Sequence, residues 1–564
     1  MVMGKVTRSV LCFLTAVVML AGLLSAGCGG SGQAIDFKSP GGFVFNPDVV
    51  TVGAGGDAFA ELKALPKGPM WTAEYSDPRP NHGPEFHATA VSPDGSVVGV
   101  GSTSDLTSQV PALKGELLVG RYSQDGKPIA GWPRLYADTY AWNEGQDVAV
   151  DSQGNITVTG YSIGGNLWYA SVWKFDPAGN PLPGWPRYTT GGSRALTLGV
   201  IVDSSGETVS CGAAGNQMRE TMLITRYAAD GTAVAGWPKT YLAGGGQNLA
   251  YDLIQDTDGN FVIVGYTADA VTPNLNRDAV LWKIDSTGSV LAGWPKRWRS
   301  PGGSDDQYFS ISQAANGDYC VVGLTGGTTE ENGKLLVTRY NKSGQELKGW
   351  PKIYPEEGLR DASPPDSWRG SVDSANNIAA AFTTSGKMVK TVKYTPQGTL
   401  FAGFPKTAGK AGSMNVTRSC GVDGQDNIYT AGFSSVEANP TQGYPAWVTR
   451  YAPATYSTGN PSVAVKQGMT TTKLTGFGET LGPDNQGKVG YQLSPDGKAW
   501  YFYDKGKLTK VTSSSQYDTA AEMNGNIDDF DRDAGASEVF IKAILDSNGS
   551  QKVQLQSISL KYSN

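Results

Sequence analysis

The chain has 564 residues, a formal net charge of −6 and 74 glycines. This length exceeds that of one ordinary domain, so we expect two or more domains. The glycine content and moderate charge favour many short strands joined by tight turns. The net negative charge, and the lack of a cluster of Lys and Arg residues in the sequence, argue against nucleic acid as a partner.

Residues 1–27 are predicted to be a signal peptide. Lys5 and Arg8 precede an apolar stretch from Val10 to Ala26, as is typical of a targeting segment. The five residues that end at Cys28 (LSAGC) resemble the lipobox of bacterial lipoproteins. This resemblance implies cleavage before Cys28 and acylation of its thiol and new amino end. An ordinary secretory signal with an incidental cysteine is the alternative.

The lipobox resemblance implies a cell-envelope protein held at the membrane by acylated Cys28. Gly29 is compatible with sorting to the outer membrane, on either its periplasmic face or the cell surface. Residues 28–34 are predicted to be a flexible tether. Three cysteines remain, odd in number and far apart, so we predict buried free thiols rather than disulfides at Cys211, Cys320 and Cys420.

An aromatic–proline pair recurs at nearly fixed intervals along most of the chain. The aromatic residues are Trp132, Trp185, Trp237, Trp294, Trp350 and Phe404. Each proline is followed by Arg or Lys. Spacings of this size indicate repeated supersecondary units. Turn residues around short β-branched runs predict four antiparallel strands in each unit, as in a propeller blade.

The proline indicates where the last strand of each unit lies. Proline cannot donate to a β-ladder, and charge protects an exposed edge, so this strand is predicted to be the outermost one. The aromatic ring is then expected to pack between neighbouring blades. The seventh unit ends near Tyr451 without such a strand, whereas Trp71–Tyr75 has the same pattern as Trp132–Tyr136. We therefore predict an all-β fold with a seven-bladed propeller over residues 66–455, closed by the N-terminal strand with Trp71.

Residues 149–160 (AVDSQGNITVTG) are similar to the bacterial SBBP-type β-propeller repeat, and residues 202–206 and 256–260 repeat part of this phrase. The resemblance covers roughly residues 66–455. It implies a secreted or surface-exposed propeller and does not imply a reaction.

Residues 456–564 lack the aromatic–proline repeat and are predicted to form a small β-sandwich. Asp504-Lys505-Gly506 is typical of a hairpin turn, and a change of alternation predicts a bulge at Gln556–Ser557. Residues 490–494, 500–503 and 553–555 resemble an accessory sandwich of large bacterial surface proteins. This resemblance implies that residues 35–65 supply the first strands of the sandwich and that the propeller is inserted into it. A free N-terminal arm is the alternative.

Two groups of residues are candidate metal ligands. His82 and His87 are the only histidines, and a surface turn is favoured there because no third ligand is evident. Asp529, Asp531 and Asp533 alternate as at the start of a calcium loop, but Ala534 stands where an EF-hand needs Gly. We favour a solvated loop there, with calcium as the alternative. No other cofactor is predicted.

Six aspartates fall near the first strand of a predicted blade: Asp147, Asp151, Asp203, Asp252, Asp256 and Asp373. A structural role at the strand-to-turn junction is favoured for them. Two carboxylates would nevertheless suffice for glycoside hydrolysis. The tryptophan series is predicted to serve inter-blade packing rather than a sugar-binding platform.

The predicted function is that of a lipid-anchored envelope protein whose propeller is a binding or scaffolding surface for a protein or glycan, without enzymatic activity. The alternative is a polysaccharide hydrolase or lyase with axial Asp or Glu residues. Recognition is expected in the loops at 102–114, 268–278 and 434–444, because binding residues concentrate in loops on a rigid scaffold.

Overall fold

The computed structural model describes residues 31–47, 49–53, 59–63, 68–107, 114–216, 219–268, 277–301, 305–327, 332–359, 368–401, 403–435, 443–454, 456–457, 459–470, 473–535, 537–549 and 551–563. The predicted signal peptide, Cys28 and parts of the three predicted recognition loops lie outside these ranges. The chain divides into unit 1 (Met1–Ala64 with Tyr456–Asn564) and unit 2 (Leu65–Thr455). No helix within the described ranges is long and apolar enough to cross a bilayer.

Unit 1 begins with four short strands: β1 (Ser31–Asp36), β2 (Phe43–Phe45), β3 (Val50–Val52) and β4 (Ala60–Leu62). β1 pairs antiparallel with the C-terminal strand, from Ser31 opposite Tyr562 to Asp36 opposite Ser557. The prediction of a flexible tether over residues 28–34 is therefore wrong from Ser31 onward. The backbone groups of this segment are bound in a sheet, which satisfies their hydrogen-bonding capacity.

Unit 2 opens with β5 (Trp71–Tyr75) and continues with sets of four antiparallel strands. Sets 1–3 are β6 (His82–Val91), β7 (Val97–Asp105), β8 (Gly115–Tyr122) and β9 (Arg134–Tyr136); β10 (Trp142–Val150), β11 (Ile156–Gly164), β12 (Leu167–Phe175) and β13 (Arg187–Thr189); and β14 (Arg194–Val202), β15 (Thr208–Asn216), β16 (Arg219–Tyr227) and β17 (Lys239–Tyr241). One parallel pair, Trp142 with Gly115, joins sets 1 and 2 into an eight-stranded sheet.

The remaining sets follow the same order along the chain. Sets 4–6 are β18 (Asn248–Gln255), β19 (Phe261–Ala268), β20 (Arg277–Ile284) and β21 (Lys296–Trp298); β22 (Asp305–Gln313), β23 (Tyr319–Gly327), β24 (Asn332–Tyr340) and β25 (Lys352–Leu359); and β26 (Arg369–Val372), β27 (Ile378–Thr383), β28 (Val389–Tyr394) and β29 (Lys406–Ala408). Set 7 contains β30 (Met414–Val422), β31 (Ile428–Ser435) and β32 (Ala446–Tyr451), and its fourth strand is β5.

The last strand of each of sets 1–6 begins at the basic residue directly after the repeated proline. Among the strands of the sheets it pairs with the third strand of its set and lies at the edge; β25 of set 5 also forms an isolated bridge from Gly358 to Thr384. This placement fits the missing N–H of the preceding proline. The aromatic residues before the prolines are buried at Trp132, Trp185, Trp237, Trp350 and Phe404, and partly buried at Trp294. The six aromatic–proline peptide bonds are cis.

The first strands of the sets lie side by side. Each contacts the first strand of the next set in chain order, and β30 of set 7 contacts β6 of set 1. Six of the seven first strands contain a bulge near the middle of the strand. The residues that these mid-strand bulges leave unpaired are His87, Gln146, Leu198, Tyr251, Phe309 and Arg418, and β22 has a second register shift at Asp306. A bulge re-aims side chains, and the bulges at His87, Gln146 and Arg418 place polar groups inside the unit.

Unit 1 resumes with β33 (Ser462–Val465), β34 (Met469–Thr470), β35 (Lys473–Leu481), β36 (Lys488–Ser494), β37 (Tyr501–Asp504), β38 (Lys507–Lys510), β39 (Glu538–Asp546) and β40 (Gln554–Ser563). One sheet has the order β1-β40-β4-β3 with β35 also on β40, and the other has the order β2-β33-β39-β36-β37-β38 with β34 also on β39. Both sheets contribute to one hydrophobic core, which includes Val50, Leu555, Tyr491 and Ile541. The predicted bulge is confirmed, because Leu555 pairs with Leu481 and Ser557 with Thr480, which leaves Gln556 out of the ladder.

Two short helices, α1 (Ala520–Asn526) and α2 (Phe530–Ala534), complete unit 1. α1 starts with a capping box between Thr519 and Glu522, and α2 follows a 3₁₀ turn at Ile527–Asp529. The solvated loop predicted at Asp529–Asp533 is therefore wrong. Buried Met523, Ile527 and Phe530 hold this segment on the core, which favours a helix.

The helical conformation also changes the interpretation of the three aspartates. Arg532 pairs with Asp529 at 2.7 Å and Asp533 at 2.9 Å, and Asp531 accepts the N–H of Leu474 at 2.9 Å. Their oxygens are thus engaged within the protein. No group of three His, Cys, Asp or Glu side chains in the described ranges is placed to hold a metal ion.

Candidate functional site

His87 is at the centre of a buried polar cluster formed by the bulges, and the residues just N-terminal to them, in the first strands of sets 7, 1 and 2. Its side chain is 1% exposed. Nε2 lies 3.2 Å from Glu85 Oε2, and Nδ1 lies 3.5 Å from Glu144 Oε1. The surface turn predicted at His82–His87 is wrong for His87, because β6 already begins at His82 and the bulge turns the imidazole inward.

Glu144 is held by hydrogen bonds from three side chains of its own set. It accepts them from Tyr161 Oη at 2.7 Å, Trp142 Nε1 at 2.8 Å and Gln146 Nε2 at 2.6 Å. A buried carboxylate is tolerated when it is fully hydrogen-bonded, and these donors fix its orientation. Glu144 is thus a rigid anchor for two aromatic rings.

Glu85 occupies the equivalent position in set 1 and is paired across to set 7. Arg418 Nη2 lies 3.3 Å from Glu85 Oε2, and Tyr444 Oη donates to Glu85 Oε1 at 2.7 Å. Burial alone would raise the pKa of Glu85, but the Arg418 charge and the hydrogen bonds from His87 and Tyr444 lower the pKa to about 2. Glu85 is therefore an anion at every physiological pH.

Aromatic side chains are concentrated at the same end of set 2, and we call Tyr140, Trp142, Tyr161, Trp168 and Tyr169 the aromatic group. Tyr161 and Trp168 are stacked with centroids 4.7 Å apart, and Tyr140 and Tyr169 are stacked at 4.4 Å. All but Tyr161 are only partly buried.

A cation completes this surface from set 3. The Arg194 guanidinium lies 4.9 Å from the Trp168 ring centroid and forms an ion pair with Glu220. The rings of the aromatic group thus lie beside one buried carboxylate, Glu144, and one cation, Arg194. Such a surface can pack against apolar faces of a ligand, with Arg194 as the charged donor beside it.

Asp147 and Asp252 form a second acidic site, at the position directly after the bulge. Asp147 Oδ2 accepts the N–H of Val200 in set 3, and Asp252 Oδ2 accepts that of Ile311 in set 5, both at 2.9 Å. Burial and the Asp252 charge raise the pKa of Asp147 to about 7, although Arg369 opposes this shift. Burial also raises the pKa of Asp252. Arg369, equivalent in set 6, donates to Phe309 O at 2.7 Å.

The other four aspartates singled out in the sequence cap turns. Asp151, Asp203, Asp256 and Asp373 each accept backbone N–H groups from residues two and four positions later, at 2.8–3.0 Å. This is the Asx-turn geometry that aspartate favours at such positions. These carboxylates stabilise the turn between the first two strands of their sets.

Of the residues predicted to bear chemistry, the structure brings Asp147 and Asp252 close enough to interact and leaves His82 apart from His87. Glu85, Glu144, Arg418 and the aromatic group were missed. A signal for the acids was present, since Glu85-Phe86-His87 and Glu144-Gly145-Gln146 each stand at the same distance before a repeated glycine, Gly101 or Gly160.

No protein-family model and no curated protein matches the sequence. Among solved structures, an α-L-arabinanase of Penicillium chrysogenum is similar at 11% identity and a TM-score of 0.36, over 72% of this chain and 98% of that one. The extracellular domain of a putative hybrid two-component system from B. thetaiotaomicron is similar at 11% identity and a TM-score of 0.39, over 91% and 62%. The polysaccharide lyase Uly1 is similar at 10% identity and a TM-score of 0.39, over 65% and 90%. These are β-propeller-like structures, and this chain is likewise all-β.

Proposed function

We propose that this protein is a lipid-anchored envelope protein of the SBBP-type propeller class that binds a glycan at the aromatic group. Acylated Cys28 would hold it at the membrane, and unit 2 would be a closed seven-bladed propeller carried by a β-sandwich. The ligand would contact Trp142 and Trp168 and the charged side chains beside them.

Contacts between set 7 and set 1 support a closed ring. β5 pairs with β32 of set 7, and Trp71 Nε1 of the same strand donates to Gln124 O of set 1 at 2.9 Å. β30 and β6 are in contact, as the first strands of other neighbouring sets are. A ring joined in this way leaves no open seam between its first and last blades.

The single observation that carries glycan binding is the aromatic group with its buried anchor, Glu144. Sugar rings present C–H faces that pack on aromatic rings, and their hydroxyls bond well to charged groups. Trp142 and Trp168 are partly exposed, and Arg194 lies against Trp168. A rigid scaffold lowers the entropic cost of holding these groups in place for a ligand.

A glycan array on the purified mature protein, followed by calorimetry on any hit, tests this function. Trp168→Ala should weaken binding at least about tenfold, which corresponds to about 1.4 kcal/mol. The matched control is Trp500→Ala in unit 1, which should retain full affinity. Absence of any glycan ligand, or equal binding by Trp168→Ala, would exclude glycan recognition at this surface.

A second candidate function is polysaccharide hydrolysis or elimination at Asp147 and Asp252. The supporting observation is the pKa of Asp147, raised to about 7 by burial and the Asp252 charge, because such a carboxyl can hold a proton near neutral pH and act as a general acid. Incubation with neutral and acidic polysaccharides, and assay of reducing ends and unsaturated products, tests it. Activity that survives in Asp147→Asn would rule out this role.

A further inference from the structure

A cavity of about 890 Å³ lies at the opposite, C-terminal ends of the first strands of sets 1–3. Apolar wall residues come from all three first strands, and include Ala90, Ala149 and Ile201. The rim carries exposed hydroxyl and amide side chains of the turns in sets 2 and 3: Ser152, Gln153, Ser204 and Ser205. The volume falls within the range of roughly 300–1,000 Å³ typical of small-molecule sites.

Lys174, on the third strand of set 2, lines this cavity. The residue is only 4% exposed. Among the described residues, its ammonium has no hydrogen-bond or ion-pair partner; its recorded contact is with the Trp185 ring, 6.0 Å from Nζ to the centroid. A buried charge without a counter-ion is costly, so an unpaired lysine facing a cavity indicates a site for an anion.

In five of the other six sets, the equivalent basic residue is paired with a carboxylate, whereas Arg450 of set 7 has no ion pair among the described residues but donates to the Gln124 carbonyl of set 1 at 3.3 Å. The five pairs lie within 3.3 Å and join residues of one set: Arg121 with Asp94, Arg226 with Asp203, Lys283 with Asp256, Arg339 with Asp318 and Lys393 with Asp373. Lys393 also donates to the Pro453 carbonyl at 2.8 Å, and the other four likewise donate to a backbone carbonyl of the following set.

Both corresponding partners of Lys174 are engaged elsewhere. The Asp151 oxygens accept hydrogen bonds from Gln153 N and from the backbone and side chain of Asn155, at 2.9–3.0 Å. The carbonyl of Ala229 accepts the indole N–H of Trp185 at 3.3 Å. In set 2, the basic residue at this position, Lys174, therefore does not bridge to the next set, and its charge faces the cavity.

We propose that this cavity binds an acidic sugar residue, with its carboxylate on Lys174 and its hydroxyls on the polar rim. One lysine matches one negative charge. The cavity lining also contains the carboxylates of Asp151, which is engaged by its own turn, and of Asp203, which is paired with Arg226. A doubly charged phosphate is disfavoured beside them, since like charges at short range repel. The site is separate from the aromatic group and does not depend on glycan binding there.

Calorimetric titration of the mature protein with digalacturonate, against the dimethyl ester of the same disaccharide, in which both carboxylates are esterified, tests the proposal. The acid should bind at least tenfold more tightly than the uncharged ester, and Lys174→Met should abolish that difference. Lys342→Met removes an exposed lysine from an ion pair with Asp258 in set 4 and should bind as the wild type does. Thermal unfolding should show Lys174→Met to be as stable as the wild type, because no partner is left unpaired.

Three results would overturn the proposal: no binding of digalacturonate at millimolar concentration, equal binding of acid and ester, or unchanged binding by Lys174→Met. Trp168→Ala separates this site from the aromatic group. If Trp168→Ala abolishes digalacturonate binding while Lys174→Met does not, the sugar binds at the aromatic group and the cavity proposal fails. If only Lys174→Met abolishes digalacturonate binding, the cavity site is supported, whatever the glycan array shows for the aromatic group.

Discussion

Ser419 Oγ accepts the backbone N–H of Thr89 at 3.0 Å, although 330 residues separate the two along the chain. Ser419 directly follows the bulge of set 7, and Thr89 lies two residues after the bulge of set 1. Asp147 with Val200 and Asp252 with Ile311 have the same relationship between consecutive sets. The two ends of the repeat therefore meet through the same contact that joins adjacent sets within it.

Trp71→Ala should weaken the junction between sets 7 and 1. Trp71 is partly buried, and a Cβ added to Gly126 would lie 2.7 Å from its indole, so the ring covers the set 1 turn closely. Full truncation of a buried tryptophan costs about 3–5 kcal/mol, and partial exposure lowers our expectation to about 2 kcal/mol in the free energy of unfolding. Urea unfolding measures this change.

Trp294→Ala is the internal standard for that measurement. Trp294 is also partly buried and covers Gly344 of the following set in the same way. If Trp71 joins set 7 to set 1 as Trp294 joins sets 4 and 5, the two variants should lose similar stability. A loss at Trp294 without a loss at Trp71 would refute closure through β5.

The strand content of unit 2 could be predicted because each set repeats the same turn and edge signals. The spacing of the aromatic–proline pairs fixes the outer strand, and the trailing tyrosine of Trp71–Tyr75 identifies a strand that lies far from its partner in sequence. Local signals were misjudged in unit 1. Ser31–Ala34 has the composition of a linker, but the segment pairs with β40. This tertiary contact cannot be predicted from the local sequence propensity of the segment.

The polar cluster was harder to predict, because a bulge changes the direction of a side chain without changing composition. The surface turn predicted at His87 is wrong because a bulge leaves His87 out of the ladder of β6, where its side chain is buried. Likewise, Arg418 and Glu85 come together only through the contact between sets 7 and 1. The helix at Ala520 did have a sequence signal, Thr519 with Glu522 three residues later, which is the capping-box pattern.

Asp147→Asn should change how stability depends on pH. The folded-state pKa of Asp147 is raised to about 7 from 3.8, so the folded protein holds a proton that the unfolded chain releases. Its contribution to stability is therefore complete below pH 4 and is lost as the pH rises through about 7. Asparagine cannot ionise, so the variant should gain stability relative to the wild type as the pH rises from 5 to 8.

Melting temperatures at pH 5 and pH 8 check this expectation. Asp252 and Arg369 also face Asp147, so Asp252→Asn should flatten the same slope by removing the charge that raises the pKa of Asp147. Asp504→Asn, in an exposed hairpin of unit 1, should reproduce the wild-type slope. A wild-type slope in Asp147→Asn would mean that this carboxyl does not titrate in the range.

Cys28→Ser should abolish lipid attachment. Only the thiol of Cys28 lies in the predicted lipobox, and serine cannot form a thioether. Metabolic labelling with a radioactive fatty acid and membrane fractionation measure the outcome, with an unlabelled, released protein expected. Cys211→Ser is the control, because Cys211 is a buried free thiol and should leave labelling intact. Label retained in Cys28→Ser would show that the segment is an ordinary secretory signal or that another residue is acylated.

Glu85→Gln should destabilise the protein at neutral pH but much less in acid. The folded-state pKa of Glu85 is about 2, lowered from 4.5 by Arg418 and by hydrogen bonds from His87 and Tyr444 in spite of burial. Its contribution to stability is present above pH 4.5 and is lost as the pH falls toward 2. The side chain is 21% exposed, so we expect a loss of about 2 kcal/mol at pH 7, below the full linkage value.

Urea unfolding at pH 7 and pH 3 measures the effect of Glu85→Gln. Glutamine keeps the size and an acceptor oxygen for Tyr444, so the change isolates the charge that faces Arg418. Glu74→Gln, on the exposed side of β5, should have little effect at either pH. An equal loss at both pH values would assign the role of Glu85 to packing. Because Arg418 belongs to set 7 and Glu85 to set 1, a loss confined to neutral pH would show that an ion pair holds the first and last sets together.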